Sequence, residues 1–169
     1  MSASSEEHRA QAPRSIRCAV VTVSDTRTPE TDRSGLLIRE RLAEAGHEVV
    51  DYRIVRDEAV EIGPLLDELV AREDCDAVLI DGGTGIARRD TTYDVVAARL
   101  DKRLDGFGEL FRSLSYAEIG AAAMLSRATG GVYRGTLVLL MPGSSNAVAL
   151  AMDRLILPEL GHLVFEIRK

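Results

Sequence analysis

Tryptophan is absent from this chain of 169 residues and aromatics make up only 4% of it, so Leu, Val, Ile and Ala must build the core. No apolar run approaches the roughly 20 residues that a membrane span requires. Residues 1–15 are polar and lack the apolar middle of a signal peptide, which predicts a disordered tail ahead of one domain over 16–169. Only two cysteines occur, Cys18 in a strand pattern and Cys75 just before one. They provide no disulfide framework and fit buried or strand-edge thiols in a reducing cytoplasm. The histidines at 8, 47 and 162 are scattered, with no metal-ligand spacing. A basic footprint is also missing: the formal charge of −6 argues against a nucleic-acid partner. An anionic substrate must therefore be drawn by local positive charge, from magnesium, Arg88, Arg89 and helix N-termini.

What is present is a globular balance, 46% hydrophobic and 28% charged, in a length that supports one substantial core. Residues 16–23 are β-rich and end in Ser24-Asp25-Thr26-Arg27. Helical spacing follows at Ile38, Leu42 and Ala45, with Gly46 as a stop. A second strand is expected over 47–55. Ile62, Leu65, Leu66, Leu69 and Val70 then form a helical stripe, and Pro64 puts its start near Gly63. Residues 76–80 read as a third strand. Helices are expected over 95–100, from Asp105 into Arg112, and over 121–128. A turn over 131–136 joins two short strands, the second of which, Thr136–Met141, is the most apolar. A last helix follows Pro142-Gly143-Ser144-Ser145-Asn146 and runs through Leu155. Alternating strands and helices imply an α/β fold with a mostly parallel sheet and helices on both faces.

The chemistry concentrates in Asp81-Gly82-Gly83-Thr84-Gly85-Ile86-Ala87-Arg88-Arg89-Asp90, between a buried strand and the helix opened by Thr91-x-x-Asp94. Glycines admit an anion close to backbone N–H groups, arginines fork phosphate oxygens, and an aspartate can hold the magnesium of a nucleotide. A Walker loop is excluded because no Gly-Lys pair occurs, and the dinucleotide fingerprint fails at Arg88. In parallel sheets ligands sit beyond the carboxyl ends of strands. Four polar segments should gather there: Ser24-Asp25, Asp57-Glu58, the glycine loop to Asp90, and 142–146. Each has a plainer reading too. Asp57 and Asp90 can cap helices, Asp25 can brace a turn, and Ser144-Ser145-Asn146 can cap the last helix. The stripe Phe107, Leu110, Phe111, Leu114 reads as core packing or as a subunit interface.

Taken together these motifs resemble the molybdenum cofactor biosynthesis MoaB/MogA family and the adenylating domains of gephyrin-like proteins. The resemblance is carried by Val21-Thr22-Val23-Ser24-Asp25, by Gly82-Gly83-Thr84-Gly85 with Arg89-Asp90-x-Thr92, and by Met141-Pro142-Gly143-Ser144-Ser145-Asn146-Ala147. The stretch from Gly106 to Gly120 is similar to the MoaB branch in particular. The resemblance implies a three-layer α/β/α domain that assembles as a homotrimer or homohexamer. It also implies Mg-ATP-dependent adenylylation of molybdopterin, releasing pyrophosphate. Asp57 and Asp90 fall at the family's essential aspartates, here read as metal ligands. Gly82, Gly83, Thr84, Gly85 and Arg89 fall in its nucleotide and phosphate loop. Ser24, Asp25, Pro142, Gly143, Ser144 and Asn146 are candidates for pterin or phosphate contact. A non-catalytic oligomeric scaffold that binds pterin or nucleotide is the alternative. Two departures stand out. Asp81 replaces the usual Thr before the glycine loop, where it weakens ATP binding or helps hold magnesium. Thr92-Tyr93-Asp94-Val95 replaces Thr-Pro-Glu-Ala.

Overall fold

The computed structural model describes residues 12–169; most of the expected tail lies outside these residues. The part of it that is described, 12–15, forms no helix or strand, and Pro13 lies against Gly161 of the last helix. The chain runs β1 (Arg17–Val23), α1 (Arg33–Glu44), β2 (Glu48–Val55), α2 (Ala59–Val70), β3 (Ala77–Asp81), α3 (Thr92–Arg99), β4 (Lys102–Arg103), α4 (Asp105–Ile119), β5 (Thr129–Tyr133), β6 (Thr136–Met141), α5 (Ser145–Ala151) and α6 (Leu157–Arg168). The six strands lie in the order β2-β1-β3-β6-β5-β4. The first four are parallel, and β5 and β4 add on antiparallel. Because β2 and β3 flank β1 on opposite sides, a crevice opens at the carboxyl ends of β1 and β3.

Alternation along the strands divides the core cleanly. Cys18, Val20, Leu79 and Leu139 face α1, α4, α5 and α6, packing with Ile38, Phe111, Val148 and Leu160. Ala19, Val21, Val78 and Leu140 face α2 and α3, packing with Leu66, Leu69 and Val96. Burial on both faces explains why these strands read as continuous apolar runs rather than alternating ones. Cys18 and Cys75 are both buried and free, one in each of these cores. The sheet lies between the two thiols, and burial pushes both above the usual thiol range. Among the described residues no helix is long and apolar enough to cross a membrane.

Several boundaries differ from the expectation. Helix α2 begins at Ala59, not near Gly63, and carries Pro64 inside it. The missing proline N–H removes the bond to the Val60 carbonyl, and Val60 is 81% exposed, so water can take its place. Helix α4 runs on to Ile119, and the short remainder before β5 fits only a 3₁₀ turn over Gly120–Leu125 in place of the helix expected at 121–128. The last helix continues past Leu155. One π-turn, Met152–Ile156, joins α5 to α6 where Pro158 cannot donate the regular helical bond. In the stripe on α4, Phe107 and Phe111 are core residues, whereas Leu110 is exposed.

Beneath the crevice lies a buried polar network. Asp32 caps α1 by accepting from Gly35 N at 3.0 Å, and Tyr52 Oη donates to it at 2.6 Å. Asp81, fully buried at the end of β3, accepts from Ser34 Oγ at 2.6 Å and from Thr22 Oγ1 at 2.8 Å. One guanidinium serves both acids: Arg27 Nη1 lies 3.5 Å from each carboxylate, and Nη2 donates to the Gly143 carbonyl at 2.9 Å. Burial opposes ionisation of Asp32, but its hydrogen bonds outweigh that and hold its pKa low. Asp81 goes the other way. Burial, helped by the nearby Asp32 charge, pushes it up to about 6 against the opposing bonds from Ser34 and Thr22.

A folded-state pKa raised above the ordinary 3.8 means that the Asp81 contribution is fully present below pH 3.8 and is lost as pH rises through about 6. Asp81→Asn keeps the hydrogen-bonding shape without the charge. It should therefore gain on the wild type as pH rises from about 4 to about 7, by on the order of 2–3 kcal/mol. Urea midpoints of the two proteins across that range measure the gap, and a gap that stays constant with pH would refute the assignment.

Candidate functional site

The three central strands converge where only glycine fits. Gly82, at φ 97°, sits so close to the end of β1 that a Cβ would meet Val23 O at 2.3 Å. Gly83, at φ 63°, is pressed between helix and strand, and a Cβ there would meet Thr92 Oγ1 at 2.1 Å and Asp57 Oδ2 at 3.0 Å. Gly143, after β6, packs on Gly82. The glycine loop, the β1 end and the β6 end are thereby drawn into one place.

Asp57 ties in the fourth segment. It is buried, and its Oδ1 accepts from Thr91 N and Oγ1, each at 3.0 Å, and from Thr92 N and Oγ1 at 3.0 and 2.9 Å. A residue after β2 thus caps α3 across 34 positions of sequence. The cap expected within Thr91-x-x-Asp94 does not form, because Thr91 makes no side-chain bond to its own helix. Asp57 does not cap α2 either: the residue at that position is Glu58, which makes no side-chain capping bond. Asp57 Oδ2 has no hydrogen-bond partner among the described residues.

Asp90 folds back over the loop. Its Oδ2 accepts from Ala87 N at 2.8 Å and lies where a Cβ on Gly85 would stand, while its Oδ1 has no hydrogen-bond partner among the described residues. Each of the two aspartates therefore commits one oxygen to the loop and leaves the other open. Asp25 links the remaining pieces: Oδ1 accepts from Asp57 N at 3.4 Å and Oδ2 pairs with the Arg89 guanidinium. Arg88 is exposed and makes no ion pair among the described residues. Between Asp57 and Asp90, the N–H groups of Gly83, Thr84, Gly85 and Ile86 have no protein acceptor among the described residues.

Other anticipated residues play local roles. Ser24 Oγ accepts from Thr26 N and Arg27 N, bracing the turn after β1. Ser144 caps α5 by accepting from Ala147 N at 3.2 Å. Pro142 leads into Gly143. Asn146 lies apart from the loop, on a surface hollow of about 480 Å³ with Glu118, Asp153 and Arg154. Asp81 cannot act as a metal ligand in this arrangement, since it is buried and both oxygens are occupied. Sequence reasoning missed Arg127, which lies in irregular chain before β5. It donates to the carbonyls of Thr84, at 3.2 Å, and Gly85. No turn or spacing signal marks it.

A cleft of about 580 Å³ adjoins the site, lined by Ser24, Asp25, Arg27, Tyr52, Arg56 and Glu61. Another hollow, of about 560 Å³ between the β4–β5 edge and α6, shares no residue with the glycine loop. The described residues hold no cluster of three or more His, Cys, Asp or Glu that could bind a metal by themselves. Two carboxylates with one free oxygen each fit a different case, a magnesium ion that arrives on substrate phosphates and takes one or two protein ligands.

Comparison with known proteins places this arrangement. A family model described as "Probable molybdopterin binding domain" matches residues 19–162. The chain is 55% identical to molybdenum cofactor biosynthesis protein B of Halalkalibacterium halodurans over 165 residues, 97% of either chain. A crystal structure of a molybdenum cofactor biosynthesis protein B superimposes with TM-score 0.90 at 56% identity, covering 94% of this chain and 99% of that one. The tungsten cofactor synthesizing protein MoaB from Pyrococcus furiosus superimposes with TM-score 0.84 at 39% identity, covering 94% and 100%. With a family model matched over most of its length and relatives this similar along nearly the whole chain, the protein belongs to the molybdenum cofactor biosynthesis MoaB/MogA family, in its MoaB branch.

Proposed function

We propose that this protein adenylylates molybdopterin with Mg-ATP, releasing pyrophosphate, as a step of molybdenum cofactor biosynthesis. The observation that carries this reading is the loop itself. Four successive N–H groups without an acceptor among the described residues lie between two aspartates that each keep one oxygen without a hydrogen-bond partner among those residues. Such N–H groups favour phosphate oxygens, and the adjacent carboxylates suit the cation that accompanies a nucleotide.

The nucleophile is the terminal phosphate of molybdopterin. As a monoester with a second pKa of about 6 it is largely dianionic at neutral pH, so no general base is needed. Its oxygen bonds to the α-phosphorus of ATP while the bond from that phosphorus to the bridging oxygen of pyrophosphate breaks. Binding energy is spent on holding two anions in line, which is positioning rather than proton transfer. The loop N–H groups orient the phosphates, and the exposed Arg88, which makes no ion pair among the described residues, can meet them. Arg89 is held by Asp25 and stands at the loop's rim. Magnesium bound with the nucleotide would be held by the open oxygens of Asp57 and Asp90 and would neutralise charge on the phosphates. The cleft beside Asp25 and Arg56 offers the room for the pterin. Two buried free thiols accord with a cytoplasmic setting.

The test is pyrophosphate release from Mg-ATP with and without molybdopterin, on wild type and on Asp90→Asn. Pterin-dependent release should fall by about 100-fold or more in the variant, the scale of losing one electrostatic stabiliser of developing charge, with its melting curve unchanged. Near-normal turnover in Asp90→Asn would remove that residue from the mechanism. Saturable ATP binding by the wild type without any turnover would make the protein the non-catalytic scaffold.

We also propose a homo-oligomer, trimeric or hexameric. Tyr116, Ile119, Met124 and Leu125 are 65%, 56%, 80% and 57% exposed at the end of α4 and on the 3₁₀ turn, an unusual cost for a monomer. Sedimentation velocity should show a trimer or larger for the wild type and a smaller species for Met124→Glu. A monomeric wild type would contradict this.

A further inference from the structure

We propose that Arg127 is a positioning residue of the glycine loop: it grips two successive carbonyls and so turns the following N–H groups toward the bound phosphates. The inference rests on the reading of that loop as the nucleotide site. Arg127 Nε donates to Thr84 O at 3.2 Å and Nη2 donates to Gly85 O. Its Nη1 lies 3.4 Å from Asp94 Oδ2, and the guanidinium carbon stands 4.5 Å above the Tyr93 ring. The side chain is 24% exposed.

An arginine beside a phosphate loop is first read as a phosphate ligand, but here the fork is already committed. The Nε–Nη2 edge serves the loop and Nη1 serves Asp94, with one face covered by Tyr93. The consequence for the loop follows from peptide geometry. In a trans peptide the C=O and the next N–H point in opposite directions, and no peptide in the described chain is cis. Pulling the carbonyls of Thr84 and Gly85 toward Arg127 aims the N–H groups of Gly85 and Ile86 away from it. Those are two of the four N–H groups that have no protein acceptor among the described residues. A glycine-rich segment left to itself samples many orientations, and a nucleotide would have to order it on binding. The guanidinium, planar and pre-organised, removes part of that cost beforehand.

Tyr93 supplies the ring under Arg127 and Asp94 the carboxylate beside it. The helix that follows the loop thus holds the residue that shapes the loop.

The test measures Mg-ATP binding by calorimetry and KM for ATP and for molybdopterin, on wild type, Arg127→Ala, Arg127→Lys and Tyr93→Leu, with melting curves taken without ligand. Loss of the two bonds from a charged donor should weaken ATP binding and raise KM for ATP about tenfold in Arg127→Ala, leaving KM for molybdopterin unchanged. Lysine keeps the charge but cannot fork, so Arg127→Lys should recover only part of the loss. Tyr93→Leu keeps every donor and loses the stacking face, so it should show a smaller rise of about twofold to threefold. Full recovery by lysine would overturn the clamp in favour of a bare charge. An unchanged KM for ATP in Arg127→Ala, with or without a lower melting temperature, would overturn it in favour of a purely structural residue. A wild type that binds no ATP would overturn the nucleotide reading itself, and the clamp with it.

Discussion

A single carboxylate oxygen, Asp57 Oδ1, takes four hydrogen bonds from Thr91 and Thr92 and fixes where α3 begins. The orphan N–H groups of a helix start must be satisfied, and here an acid from a different strand end does it. The glycine loop has no regular structure of its own. Its near end is pinned by the glycine contacts of Gly82 with β1 and of Gly143 with Gly82. Its far end is pinned by Asp57, and its middle is drawn in by Asp90 and Arg127. Gly83 can be nothing larger because Thr92 and Asp57 occupy the space of its Cβ. The site is therefore a consequence of where one capping acid comes from.

The chain is acidic overall, so the anionic ligand of the proposed function requires its carboxylates to be kept from repelling it. It sorts them by depth. Asp32 and Asp81 lie under the crevice, neutralised by Arg27, by hydroxyl donors and, for Asp81, by partial protonation near pH 6. Asp25 is paired with Arg89 at the rim. Asp57 and Asp90 each keep beside the loop an oxygen that has no hydrogen-bond partner among the described residues, where in the proposed function a cation would bridge them to phosphate. At the opposite end of the sheet Asp76 joins Arg17 of β1 to Arg168 of α6, fastening the last helix to the strand bottoms.

The fold was legible in the sequence where signals were local. Strand runs, the stop at Gly46 and the turn residues at strand ends led to a mostly parallel sheet, and the four polar segments do meet at its carboxyl edge. What escaped was set by distance. Strand β4 is two exposed residues with no pattern to detect. The partner that caps α3 is 34 residues away, so a local capping box was read where Asp94 in fact faces Arg127. Arg127 itself sits in irregular chain, and its function appears only when the loop carbonyls are seen. Asp81 looked like a residue of the phosphate loop, yet its side chain points into the core because its strand position alternates that way.

The direct measurement is a crystal structure with magnesium and a non-hydrolysable ATP analogue. Phosphate oxygens should lie against the N–H groups of residues 83–86, with the metal at about 2.0–2.1 Å from an oxygen of Asp57 or Asp90. An analogue whose phosphates sit elsewhere, for instance along Arg53 and Arg56 in the neighbouring cleft, with both aspartates untouched, would contradict the assignment of this loop as the nucleotide site.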